Sequence, residues 1–123
     1  MKIRIKGDTV RFRLTKSEVK ALCETGTIKE QTHFGNVAFG YAVQMDSNTT
    51  AMHAEFKDNN ITLFLPKTLG KDWFENNRVG FEHHQKTQTG TLYLLLEKDF
   101  TCLDNTLEDQ SDNYPNPKLE PNP

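Results

Sequence analysis

The opening fifteen residues, MKIRIKGDTVRFRLT, constrain this chain more than any other stretch. Two runs of strict alternation flank Gly7-Asp8, the pattern of a β-hairpin closed by a two-residue turn with glycine first. Such a turn fixes the register. Lys2 is set opposite Arg13, Ile3 opposite Phe12, Arg4 opposite Arg11, Ile5 opposite Val10 and Lys6 opposite Thr9. Side chains alternate between faces, so Ile3, Ile5, Val10, Phe12 and Leu14 share one side and Lys2, Arg4, Lys6, Arg11 and Arg13 the other. Like charges placed opposite each other weaken a hairpin. Five cations on one face therefore need solvent, carboxylates from neighbouring strands, or a bound anion.

Beyond the hairpin, Thr15 and Glu18 fit a capping box, apolar residues recur at helical spacing through Val19, Leu22 and Cys23, and Gly26 supplies a stop. The spacing predicts a helix over Lys16 to Thr25. Strands are predicted over Thr27 to Phe34 and Val37 to Met45, joined at Gly35-Asn36, and over Met52 to Lys57 and Ile61 to Leu65, joined at Asp58-Asn59-Asn60. A second short helix is predicted near Thr68, with Leu69 and Trp73 one turn apart. Strands over Val79 to His84 and Thr91 to Phe100, around a polar loop at Lys86 to Gly90, complete the body.

Composition sets outer limits. The chain's 123 residues suit one α+β domain over 1–103 and a tail over 104–123. That tail holds four of the five prolines, and from Asp104 onward it carries five acids against one base. It buries too little to offset its ordering entropy, so it is expected to be flexible or laid over the body through Leu107, Tyr114 and Leu119. No apolar run approaches the roughly 18 residues of a membrane span, and the first residues lack the apolar stretch of a signal peptide. Two cysteines make no disulfide framework. The expectation is a cytoplasmic protein with no membrane partner. A net charge of -2, and Phe12 turned away from the cations, argue against nucleic acid.

An offset of 51 residues places Val10 on Ile61, Phe12 on Leu63, Leu14 on Leu65, Leu22 on Trp73, Ile28 on Val79 and His33 on His84. Each half then reads strand, strand, helix, strand, strand, an internal duplication of a β-β-α-β-β unit. Eight antiparallel strands from such a unit, with two short helices packed on one face, resemble the CYTH or triphosphate-tunnel fold. The resemblance implies a closed barrel whose polar interior binds phosphates and a divalent metal such as Mg or Mn. That family's Glu-x-Glu-x-Lys motif has a partial counterpart in His53-x-Glu55-x-Lys57, whereas the first strand offers Lys2-x-Arg4-x-Lys6. Separately, MKIRIKG, RLTKSEV and the segment Glu97 to Leu103 (EKDFTCL) are similar to a small bacterial family of unknown activity.

By parity, the face opposite the apolar one carries Arg4, Lys6, Arg11, Arg13 and Lys57 as candidate phosphate ligands, beside Lys2, Lys29, Gln31 and His33. It also carries Glu55, Glu82, Glu97 and Asp99 as candidate metal ligands. Ala38, Gly40 and Ala42 leave room beside them. The function these point to is binding of a phosphate-containing small molecule. Its enzymatic version is metal-assisted hydrolysis of a phosphoanhydride. A transition-metal site from Glu82 and His84 with His53 or His33 is a weaker reading, because no fixed spacing motif supports it. Cys23 and Cys102 read as packing residues. The rival class is an interaction module that engages a protein through the acidic tail or an exposed strand edge.

Overall fold

The computed structural model describes residues 1–100 and 111–115; Cys102, Leu107 and Leu119 lie outside them. Its elements run β1 (Lys2–Lys6), β2 (Thr9–Leu14), α1 (Lys16–Thr25), β3 (Thr27–Phe34), β4 (Val37–Asp46), β5 (His53–Lys57), β6 (Asn60–Pro66), α2 (Lys67–Gly70), β7 (Gly80–Thr87) and β8 (Gly90–Lys98). The class is α+β, with eight strands and two helices among the described residues. Gly7 takes φ +54°, which supports the tight turn, and all five expected pairs from Lys2↔Arg13 to Lys6↔Thr9 form. The Thr15 N–H donates to Glu18 Oε1 at 2.9 Å at the start of α1. At its end Gly26, with φ +86°, donates its N–H to Leu22 O at 2.9 Å.

Several boundaries move. Helix α2 is a single turn that stops at Gly70, a poor helix residue where the chain presses on the core. A Cβ there would stand 2.4 Å from Leu65 Cδ2. Trp73 therefore lies beyond the helix, fully buried, with Nε1 donating to Arg78 O at 2.8 Å and its ring edge-on to Phe81 at 5.1 Å. The expected loop at Lys86 to Gly90 is instead mostly ladder, since Lys86 pairs Thr91 and Thr87 pairs Gly90. Backbone pairing continues there past the last apolar side chain.

The strands form two four-stranded sheets, β1-β2-β8-β7 and β3-β4-β6-β5. Every expected hairpin is antiparallel, but the central joins β2·β8 and β4·β6 are parallel. Both sheets are mixed and neither closes, so the antiparallel barrel implied by the CYTH resemblance is corrected. At the junction between the sheets, edge strands β5 and β7 are linked through a side chain. Ala54 N–H donates to Gln85 Oε1 at 2.7 Å, and Gln85 Nε2 donates to Ala54 O at 3.1 Å. An amide side chain inserted there takes the place of a ladder.

Advancing the first sheet's order by four strands reproduces the second sheet's order, β5-β6-β4-β3. One offset does not serve throughout. Phe12 pairs Leu96 where Leu63 pairs Val43, so the C-terminal hairpins correspond at 53 residues while 51 relates Phe12 to Leu63. The two extra residues fall between α2 and β7. Ile28 then corresponds to Phe81 and Met45 to Lys98, and the expected matching of His33 with His84 is lost.

One core serves both sheets: Phe12, Leu14, Leu94 and Leu96 from the first, Val43, Leu63 and Leu65 from the second, and Val19, Leu22 and Trp73 between. No helix among the described residues is long and apolar enough to cross a membrane. Residues of the C-terminal segment lie on the body. Ser17 Oγ donates to Asp112 Oδ2 at 2.6 Å, Tyr114 N–H donates to Asp99 O at 2.8 Å, and the rings of Phe100 and Tyr114 meet at 5.6 Å.

Candidate functional site

The face of the first sheet turned away from the core is a grid set by strand register. One row reads Lys2, Arg13, Glu97, Gly80. The next reads Arg4, Arg11, Leu95, Glu82, and the third Lys6, Thr9, Tyr93, His84. Residues in one row across paired strands point the same way, so each row lines the same surface.

The cations divide into two groups. Glu97 Oε1 lies 3.2 Å from Arg11 Nε and 3.8 Å from Arg13 Nε, and Asp99 Oδ2 lies 3.2 Å from Lys2 Nζ. Arg11 Nε is buried and makes no hydrogen bond, so Glu97 holds it by charge rather than by a well-aligned donor. Arg4 and Lys6 form no ion pair with any carboxylate among the described residues. Together with Thr9 and Arg11 they line a cavity of about 190 Å³. Placed two residues apart on one strand, with Arg11 across from Arg4, these groups present three positive charges to whatever enters.

The candidate phosphate ligands thus divide by sheet. Arg4, Lys6, Arg11 and Arg13 share the first sheet; Lys57 stands on the second, at the end of the row Gln31, Gly40, Asn60, Lys57. The metal candidates are not assembled. Glu97 and Asp99 are engaged by cations, Glu82 is separated from Arg11 by Leu95, and Glu55 belongs to the second sheet's row Lys29, Ala42, Thr62, Glu55. Among the described residues no group of three or more His, Cys, Asp or Glu is placed to hold a metal ion. The histidines of the transition-metal reading are also apart. His84 packs on Tyr93 of the first sheet at 4.7 Å, and His53 stacks on Phe64 of the second at 4.9 Å. The room expected beside Gly40 is filled, because a Cβ there would sit 1.8 Å from Asn60 Oδ1.

Tyr93 was not among the candidates. The residue is 44% exposed on the cationic face, one strand from Thr9. Its parity with Glu97 along β8 places it there, a signal that strand alternation carries in the sequence. Behind the sheet, Lys98 is 5% exposed, donates from Nζ to Asn76 O at 2.7 Å, and lies 5.0 Å from the Tyr114 ring centre. Burial pulls the Lys98 ammonium below the ordinary lysine range and pushes the Tyr114 hydroxyl up to about 12.

A family model described as a family of unknown function (DUF7009) matches residues 1–118. No curated protein and no solved structure matches the chain.

Proposed function

The chain belongs to the DUF7009 family, a family of unknown function, and we propose that the first sheet's cationic face binds a small phosphate-type anion. The observation that carries this reading is the pair of cations, Arg4 and Lys6, that form no ion pair among the described residues and stand beside Arg11 and Thr9 at one cavity. Arg4 faces Arg11 directly, an arrangement that weakens the hairpin and that a bound anion relieves. Guanidinium groups suit the task because their fork of N–H donors matches phosphate oxygens. The reading is of binding. With Glu97 and Asp99 held by cations, the described residues give the hydrolytic version no assembled set of metal ligands. The same reading takes the two halves of the chain as copies of one unit, each giving one hairpin to each sheet, with the cations kept in the first copy; the matched strand orders support it.

Titration with pyrophosphate, followed by thermal unfolding, tests the reading. A ligand at 100 times its dissociation constant stabilises by about 2.7 kcal/mol. The expected result is an upward shift that the double variant Arg4→Ala, Lys6→Ala abolishes while it stays folded. An absent shift at millimolar pyrophosphate, or one that survives the double substitution, sinks it.

A second reading has its own support. Phe34, Val37 and Phe56 are 67%, 50% and 69% exposed on the second sheet, with Phe39 6.4 Å from Phe56. Exposed apolar side chains gathered in this way mark contact surfaces, which favours an interaction module working through the β3–β4 end of the second sheet.

A further inference from the structure

The cations are not alone on the first sheet. Thr9, which lines the cavity with Arg4, Lys6 and Arg11, is paired directly with Tyr93, and Tyr93 with His84. Neighbouring strands lie about 4.8 Å apart, so the exposed phenol ring stands one strand from the cavity wall and two from Lys6. The His84 ring meets it at 4.7 Å and 71°, a T-shaped contact that steadies the ring. A flat aromatic platform beside Arg4, Lys6 and Arg11 is a surface for a ligand with an anionic end and a planar end.

Resting on the phosphate reading, we infer that this face takes a nucleoside phosphate, with its base stacked on Tyr93 and its phosphates held by Arg4, Lys6 and Arg11. Every nucleobase offers a π face to an aromatic ring, and stacking of this kind tolerates any base. A single nucleotide fits better than a strand. Arg4 and Lys6, which form no ion pair among the described residues, can neutralise one or two phosphate groups, and the chain as a whole carries a net charge of -2 rather than the basic excess of a strand binder. Tyr93 with its His84 support is one platform, not a row of them.

Calorimetric titration of the full chain with adenosine diphosphate and with pyrophosphate separates the parts. Adenosine diphosphate is expected to bind about tenfold more tightly than pyrophosphate, the factor that one stacked base contributes. Tyr93→Ala brings the nucleotide down to the level of pyrophosphate and leaves pyrophosphate binding unchanged, while Tyr93→Phe keeps the difference. Equal binding of the two ligands by the native chain overturns the nucleotide assignment and leaves the phosphate reading standing. Failure of both ligands to bind overturns both readings. A loss of pyrophosphate affinity in Tyr93→Ala assigns the ring to the shape of the sheet and overturns the stacking role. Tighter binding of a single-stranded oligonucleotide than of adenosine diphosphate, falling steeply with salt, overturns the mononucleotide in favour of nucleic acid.

Discussion

The two sheets share a strand plan and a core, yet their outer faces differ in chemistry. On the first, the edge hairpin carries Lys2, Arg4, Lys6, Arg11 and Arg13, and the adjoining strand β8 answers with Glu97 and Tyr93. On the second, the equivalent region is small and already filled: Gly40 lies under Asn60, Ala42 is buried beside Thr62, and the charges of Lys29, Glu55 and Lys57 stand on edge strands. The same scaffold thus holds one face with a cavity between charges and one face where Asn60 fills the space beside Gly40. Function is carried by what fills the grid, not by the grid.

A core shared by both sheets makes them one cooperative unit, and the largest expected effect falls on that core. Phe12 is fully buried on β2 and packs in the core that serves both sheets. Truncation of a buried phenylalanine removes its transfer free energy and leaves a cavity, so Phe12→Ala costs about 3–5 kcal/mol. Urea unfolding followed by Trp73 fluorescence and by far-ultraviolet circular dichroism is expected to give coincident transitions in this variant. Separate midpoints would mean that the sheets unfold independently and that their likeness is no guide to a shared scaffold.

How much of this was legible in the sequence depends on the range of the signal. The register from Lys2↔Arg13 to Lys6↔Thr9 follows from a two-residue turn and a period of two, both local, and the same holds for the hairpin at Gly35-Asn36. The joins β2·β8 and β4·β6 bring together strands from different hairpins, and alternation says which face is apolar without saying which edge is met. That is why an antiparallel barrel was expected and two mixed sheets formed. Pairing of Arg11 and Arg13 with Glu97 and of Lys2 with Asp99 was within reach as a balance of charge on one face, but the separation of Glu55 and Lys57 from it depends on those same joins. Asn60 covering Gly40 depends on one side chain reaching across a neighbouring strand, which no period encodes.

Lys98 and Met45 occupy corresponding places, opposite Leu14 and Leu65, so one sheet ends on a buried cation where the other ends on a thioether. Burial lowers the Lys98 pKa in the folded chain, whereas the unfolded chain keeps the ordinary value near 10.4. Between the two values the unfolded state binds more protons, so stability rises with pH from the depressed value toward about 10.4. Tyr114, pushed up to about 12 by burial, acts the other way: its contribution is full below about 10 and is lost as pH climbs toward about 12. Lys98→Met makes the sheets alike. It removes a hydrogen bond to Asn76 O from a charged donor, roughly 1.5–3 kcal/mol, but also removes the desolvated charge, leaving a net change of about 1 kcal/mol at neutral pH. Denaturation midpoints from pH 7 to 11 are expected to lose the alkaline rise and keep the fall above pH 10. A rise that persists would assign it to another group.

The smallest effect on stability is the most telling about the site. Glu97 is the carboxylate that Arg11 and Arg13 share, and Glu55 on the second sheet forms no ion pair among the described residues. Glu97→Gln keeps the shape and removes the charge. Because Arg11 and Glu97 are each about a quarter to a third exposed, solvent screens the pair, and its loss costs only about 0.2–1 kcal/mol. The same change removes the carboxylate that pairs with Arg11, so pyrophosphate affinity is expected to rise several-fold, with a steeper dependence on salt. Glu55→Gln is expected to leave affinity unchanged and stability within about 0.5 kcal/mol. If Glu97→Gln instead weakens binding, and does so only with magnesium present, the carboxylate serves a metal rather than restraining a cation. The first face would then be the mixed acid and base site implied by the triphosphate-tunnel resemblance, and the contrast between the two faces would have to be redrawn around Glu97.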